Sequence, residues 1–473
     1  MNKMIADLHC HPNLKTFGHS FAKRAGVANR LSDVWHYSPP TPFTRALNKV
    51  SGLSRFRQAS FHSMFKGNVR IAVVSLYPFE KGFFISGRWN GPVSARLANL
   101  ITGIGYERVR YLQRHLDYFE DLTNEYNFFI NSRDSSSIQA TNVQWKLAAD
   151  WNAVQEMIDD TGTISVIPSI EGAHVLNTGL GMYGRHCDEE HVLYNISAIK
   201  HWQYPPLFIT FAHNFNNDLC GHARSLERLG KAVNQDENLD AGFSPLGIRV
   251  LHELLSSSNG RPIYIDIKHM SVRARVRYQE ILKHDYYTNN IPVIVSHGAV
   301  TGTTFSGDRL PGADTSLFSE NDINFFDEEL VNIARSRGLF AVQLDANRLA
   351  KRQYIIKSWR DVFDPASVKK SAYIIWMQIQ HAAEVLDRNS LYSWGTMCIG
   401  SDFDGTINPL AGIWTAEDLP ALGDALLVHA ANYLKANNRL ALSENRNITP
   451  EEIVENFLFA NTVSFLRHFY NST

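Results

Sequence analysis

The sequence predicts an α/β protein folded as a (β/α)₈ TIM barrel, and three observations carry that prediction. Eight short apolar runs rich in β-branched residues recur along the chain, as buried parallel strands do. Amphipathic stretches with apolar residues at helical spacing lie between them. Six of the eight runs end in, or are followed at once by, a His, Glu or Asp suited to a ligand role, the position from which barrel proteins present their working side chains.

The runs are MIADLH (4–9), RIAVVSLY (70–77), TISVIPSI (163–170), LFITFAH (207–213), PIYIDIKH (262–269), PVIVSH (292–297), GLFAVQLD (338–345) and TMCIGSD (396–402). SPLGIRVLHELLSSS and DEELVNIARSRG are examples of the helical stretches between them. Strand–helix alternation predicts a parallel sheet. Eight units favour a closed barrel, because an open doubly wound sheet more often has a glycine-rich nucleotide loop, and no GxGxxG or GxxxxGK[ST] follows any run. The two runs ending near Tyr77 and Asp345 lack an obvious ligand.

The chain is read as one domain, 1–473, with long insertions after strands 1, 2 and 6, at about 12–69, 78–162 and 300–325. The first reads as an irregular segment with short helices over the barrel mouth. The second carries two long helical patterns and is expected to add an extra helix. The third, rich in Gly, Ser and Asp, reads as a long loop of the kind that is often functional.

Forty-six Lys plus Arg against forty-seven Asp plus Glu leave a formal charge of -1, so no global field favours nucleic acid or an anionic membrane. The expected partner is a small molecule. The four cysteines, Cys10, Cys187, Cys220 and Cys398, form no metal-binding pair and read as small buried thiols. MNKMIADLHCH shows no leader pattern, and no stretch reaches the roughly 18 consecutive apolar residues of a membrane helix. The expected location is cytoplasmic.

His9 and His11 in DLHCH are two apart at a strand end and so point to one face, a geometry suited to a divalent metal. Glu171 closes the third run in SIEGAH, where its two oxygens can bridge two cations. His269 and His297 close the fifth and sixth runs and can complete a second ion's shell. Asp402 ends the eighth run in CIGSDFDG, beside the first strand in a closed barrel, where a carboxylate can ligate a metal and accept a proton from water. Asp404 is a weaker candidate for substrate contact, with a turn role as its alternative. His213 is left without a metal and is assigned to polarising substrate. Asp7 and Asp266 are candidates for orienting the imidazoles. The ligand set suits zinc, and also manganese, iron or cobalt.

Together DLHCH, SIEGAH, FAHNFNN, AGFSPLGIRVLHELL, IDIKHMS, IPVIVSHGA and IGSDFDG resemble the membrane (renal) dipeptidase family of the amidohydrolase superfamily, in order and over most of the chain as far as NFLFANTVSFLRHF. The resemblance implies a dipeptidase with two divalent ions, zinc expected. His9, His11 and Asp402 would match one site, His269 and His297 the other, and Glu171 the bridge. His213 would match the substrate-binding histidine. Such families are often dimers. The sequence departs from the family twice: His11 replaces an Asp, and the substrate-contacting arginine after the sixth strand is missing, with Arg309 as the candidate substitute. Hydrolysis of a lactone, an N-acyl amino acid or a phosphoester on the same metals stays open, as does a barrel that binds metal without catalysis.

Overall fold

Runs of Ile, Val, Leu and Ala with few polar interruptions have two apolar faces to bury, and parallel strands covered on both sides bury both. The computed structural model describes residues 3–22, 29–84, 90–132, 143–226, 233–355, 358–436 and 439–472. Among them are β1 (Ile5–Cys10), β2 (Val69–Leu76), β3 (Gln144–Leu147), β4 (Thr163–Glu171), β5 (Phe208–Thr210), β6 (Tyr264–Asp266), β7 (Ile294–Gly298), β8 (Leu339–Val342) and β9 (Met397–Ile399). Every residue of β1, β2 and β4 is buried.

All pairings between these strands are parallel, in the order β2-β1-β9-β8-β7-β6-β5-β4, and the β2–β4 pairing from Ile71↔Ser165 to Leu76↔Ile170 closes the barrel. The last barrel strand lies beside the first, Asp7 opposite Ile399. The eight expected runs are the eight barrel strands.

The ninth strand, β3, was not expected. It pairs with Thr163–Val166 of β4, while β5 takes Ile170 and Glu171 further along the same strand. Four residues of alternating exposure are too short a pattern to stand out beside the helical stretch WKLAADWNAVQEMIDD, which in fact divides between β3 and a helix at Trp151–Asp159 capped by Asp150. The other long pattern of the second insertion also divides, into helices Pro92–Thr102, Tyr106–Leu112 and Tyr118–Asn131. Its first break falls at Gly103, whose φ of 73° is left-handed and whose Cβ, if present, would lie 2.6 Å from the Arg55 carbonyl oxygen.

Buried polar groups tie the insertions to the barrel. Lys15 Nζ donates to Asp404 Oδ1 at 2.9 Å and to the carbonyls of Ser54 and Phe56, and the Asp404 carboxylate also accepts from the amides of Gln58 and Ala59. The first insertion is thereby bound to the loop after β9, at the barrel mouth. In the second, Glu125 accepts from Asn13 Nδ2 and from the amide of Tyr77 at the end of β2. The third is pinched shut where Val300 bridges Phe325, and Leu317, Phe318 and Phe325 fill it. One apolar cluster runs from Ile5 to Phe469. The four cysteines are unpaired, three of them buried and Cys187 partly so. Among the described residues no helix is long and apolar enough to cross a membrane.

Two stability measurements follow from these anchors. Lys15→Met strips a buried carboxylate of its cation and is expected to cost about 3–5 kcal/mol. Denaturant titration checks this, and an unchanged midpoint would contradict it. Burial, opposed by Arg108, raises the Glu125 carboxyl from 4.5 to about 8. A carboxyl raised on folding contributes stability that is complete below its unfolded value and gone once pH passes its folded value. Wild-type protein is therefore expected to lose stability relative to Glu125→Gln between pH 4.5 and about 8, on the order of 1 kcal/mol per pH unit, and to level off above. Melting curves of both proteins across that range test this, with a pH-independent gap as the contrary result.

Candidate metal centre

Seven ionisable side chains from six barrel strands and the loops after them meet at the C-terminal mouth, and each is nearly or fully buried. His9, on β1, and His11, just past its end, bring their Nε2 atoms to 3.1 Å from each other. Glu171, the last residue of β4, lies at the centre. Its carboxylate oxygens are 3.5 Å from His9 Nε2, 3.3 Å from His11, 3.4 Å from His213, 3.9 Å from His269 and 3.5 Å from His297. Asp402 Oδ1 is 3.8 Å from His9 Nε2 and 3.5 Å from His11 Nε2. The Nε2 atoms of His269 and His297 are 3.3 Å apart.

These separations fit a metal. Four ligands at 2.0–2.1 Å around a tetrahedral zinc stand roughly 3.3 Å from one another. Three overlapping groups bring their donor atoms within 4.8 Å of one another: His9, His11 and Asp402; His9, Glu171 and His297; Glu171, His213 and His269. The first is the trio that the family resemblance implied for one site. The third draws in His213, which the sequence reading left outside the ligands.

The backbone is bent to deliver two of these groups. His269 and Asp402 have φ of 65° and 56°, left-handed conformations that non-glycine residues adopt at a cost of about 1–3 kcal/mol. Both follow a repeated clamp. Asp7 accepts from the amides of His9 and Ser401 and from Ser401 Oγ; Asp266 accepts from the amides of Lys268 and Ser296 and from Ser296 Oγ. Asp7 and Asp266, the candidates for orienting the imidazoles, bond to backbone and serine groups. Asp266 reaches an imidazole only through Ser296 Oγ, which accepts from His297 Nδ1 at 2.9 Å. The Ser75 carbonyl accepts from His11 Nδ1 at 3.0 Å. Each contact reserves Nε2 for the cluster.

The two strands without an evident ligand also contribute. Gln343, just past β8, donates from Nε2 to Asp402 Oδ2 at 2.7 Å and leaves Oδ1 facing the histidines. Beyond β2, Tyr77 packs edge-on to the His213 ring, and Glu80 accepts from His213 Nδ1 at 2.6 Å. Neither Gln343 nor Glu80 ends a strand run, so the pattern of polar strand ends contains neither. An acid three residues past Tyr77 was the one available signal.

Two candidates fall outside the cluster. Asp404 is committed to Lys15 and two backbone amides, which correct its assignment to substrate. Arg309 lies on the third insertion, half exposed and paired with Glu320 at 2.9 Å.

Charge in the site follows from burial among opposite charges. Burial would lower His11 and His213, but Asp402 and Glu171 beside the one, and Glu80 and Glu171 beside the other, push each up to about 10. Burial resists ionisation of Glu171, yet His213 and His11 hold it well below the carboxylate range. Glu80 is brought down to about 2 against its burial, chiefly by His213. His269 and His297 are driven down by burial and by neighbouring positive charge. Protons on His11 and His213 thus compensate the carboxylates, and a divalent cation bound there would displace protons from its ligands.

No family model matches the chain, and no curated protein matches it in sequence. Solved structures do. An amidohydrolase from Pseudomonas aeruginosa matches with a TM-score of 0.51 at 16% identity, over 91% of this chain and 99% of that one. The dipeptidase AC, a metallopeptidase of family M19, matches with 0.54 at 13% identity over 99% of both chains. A metallopeptidase from Rhodobacter sphaeroides, liganded with a phosphinate mimic of the dipeptide L-Ala-D-Ala, matches with 0.54 at 12% identity over 98% of both. The chain has the fold of these amidohydrolase and metallopeptidase structures.

Proposed function

We propose that this protein is a metal-dependent hydrolase that binds two divalent ions, zinc by preference, and cleaves the amide bond of a dipeptide or a related small substrate. The observation that carries this reading is the cluster itself: five imidazoles and Asp402 around one carboxylate, at the spacing of metal ligands. His9, His11 and Asp402 would hold one ion, His269 and His297 the other, with Glu171 between them. The fold shared with a dipeptidase and with a metallopeptidase liganded with a dipeptide mimic supports the substrate class.

Bound ions would supply Lewis acidity and a water that ionises near neutral pH. Asp402, with Oδ2 engaged by Gln343, would take the proton of the attacking water and return it to the leaving amine. His213 presents Nε2 to the cluster and would hold the developing oxyanion. Low exposure around these atoms strengthens each electrostatic contact.

Arg309, engaged with Glu320 on an exposed loop, favours a second reading in which the scissile bond is that of an N-acyl amino acid, a lactone or a phosphoester. A substrate panel separates the two.

Glu171→Gln and His269→Ala are expected to lose bound metal together with at least about 100-fold in turnover while far-UV circular dichroism stays native. An active, metal-free variant would refute the reading. Chelation of wild-type protein should abolish dipeptide cleavage and metal re-addition restore it; cleavage that survives chelation would be the contrary result.

A further inference from the structure

Glu80 lies on the turn after β2, is 3% exposed, and has no part in the steps above. Its Oε2 accepts from His213 Nδ1 at 2.6 Å, Tyr77 Oη at 3.0 Å and Asn214 Nδ2 at 3.3 Å. Its Oε1 accepts from the amides of Asn214 and Phe215, each at 3.0 Å. Five donors occupy both oxygens, so this carboxylate is committed to the turn that carries His213 and not to a metal or a substrate.

The His213 ring is held on every side. Nδ1–H points at Glu80 Oε2 at 2.6 Å, with Asn214 Nδ2 2.9 Å from Nδ1 and bonded to the same carboxylate oxygen; the Tyr77 and His269 rings meet the imidazole edge-on at 4.7 and 4.4 Å; and Nε2 faces Glu171 Oε1 at 3.4 Å. We propose that Glu80 is the positioning residue for His213: it accepts the hydrogen bond from Nδ1–H and fixes the ring, so that Nε2–H is presented to the reacting centre. The inference rests on the hydrolase reading for its kinetic consequence but not for its geometry.

Glu80→Gln is the discriminating variant. Its carbonyl oxygen can still serve the Asn214 and Phe215 amides, which turns the NH₂ group towards His213. Only donors then face Nδ1, so the ring either gives up Nδ1–H and stays as a neutral imidazole, whose Nε2–H is the weaker donor to an oxyanion, or rotates. The variant is expected to lower kcat about 10- to 100-fold with KM changed by less than about 3-fold. On a His213→Asn background the same change should cost almost nothing further, because its effect runs through the ring. In metal-free protein with ¹⁵N-labelled histidine, the hydrogen-bonded Nδ1–H signal, assigned by its absence in His213→Asn, should vanish in Glu80→Gln.

Wild-type kcat in Glu80→Gln, or an equal loss on both backgrounds, would overturn the proposal. Should wild-type protein cleave no amide in the panel, the hydrolase reading fails by itself and the NMR signal decides: its loss in Glu80→Gln upholds the positioning role, and its persistence overturns it.

Discussion

A carboxylate buried at the centre of five imidazoles is the constraint on which this site turns. Glu171 is 4% exposed, and an ion of its size taken out of water costs several kcal/mol unless opposite charge surrounds it. Every other feature of the mouth answers to that demand. Histidines from β1, from the loops after β5 and β6, and from β7 bring neutral or protonated nitrogens to its two oxygens, and Asp402 adds a second negative charge on the His9–His11 side. A site of this composition is suited to cations, and the 3.1 and 3.3 Å spacings of its paired nitrogens lie close to the edges of a tetrahedral zinc's coordination shell.

The barrel supplies the rigidity that such a cluster needs. The ligands stand at or just beyond the ends of strands whose pairing fixes their relative height, and the paired clamps built on Asp7 and Asp266 hold the chain through the left-handed turns at Asp402 and His269. The strain in those turns is offset by buried charge-assisted hydrogen bonds. Lys15 with Asp404, and Glu125 with Asn13 and Tyr77, anchor the first two insertions around the mouth. Water is thereby kept from most of the cluster, and its electrostatics gain in strength.

Much of this was legible in the sequence because two simple periodicities carry it. Alternation along a strand puts His9 and His11 on one face, and a parallel barrel places every strand's end at one mouth, so polar residues closing apolar runs at Glu171, His297 and Asp402 could be grouped before any coordinates. Glu80 and Gln343 were hidden because they lie off the strand ends, and their partners are 133 and 59 residues away. Asp404 misled because a carboxylate two residues from Asp402 looks like a neighbour in space, whereas the left-handed turn between them sends it to Lys15. β3 escaped because four alternating residues beside a helix carry too little signal. Where contacts are local in sequence the pattern suffices; where they join distant loops, only the folded chain shows them.

The most direct test of the central claim is the metal content of purified protein, determined by elemental analysis after dialysis against metal-free buffer. The account predicts close to two equivalents of a divalent transition metal per chain, with zinc in excess of the others. Protein that folds to its native melting temperature yet retains no metal, even after incubation with zinc, would contradict it.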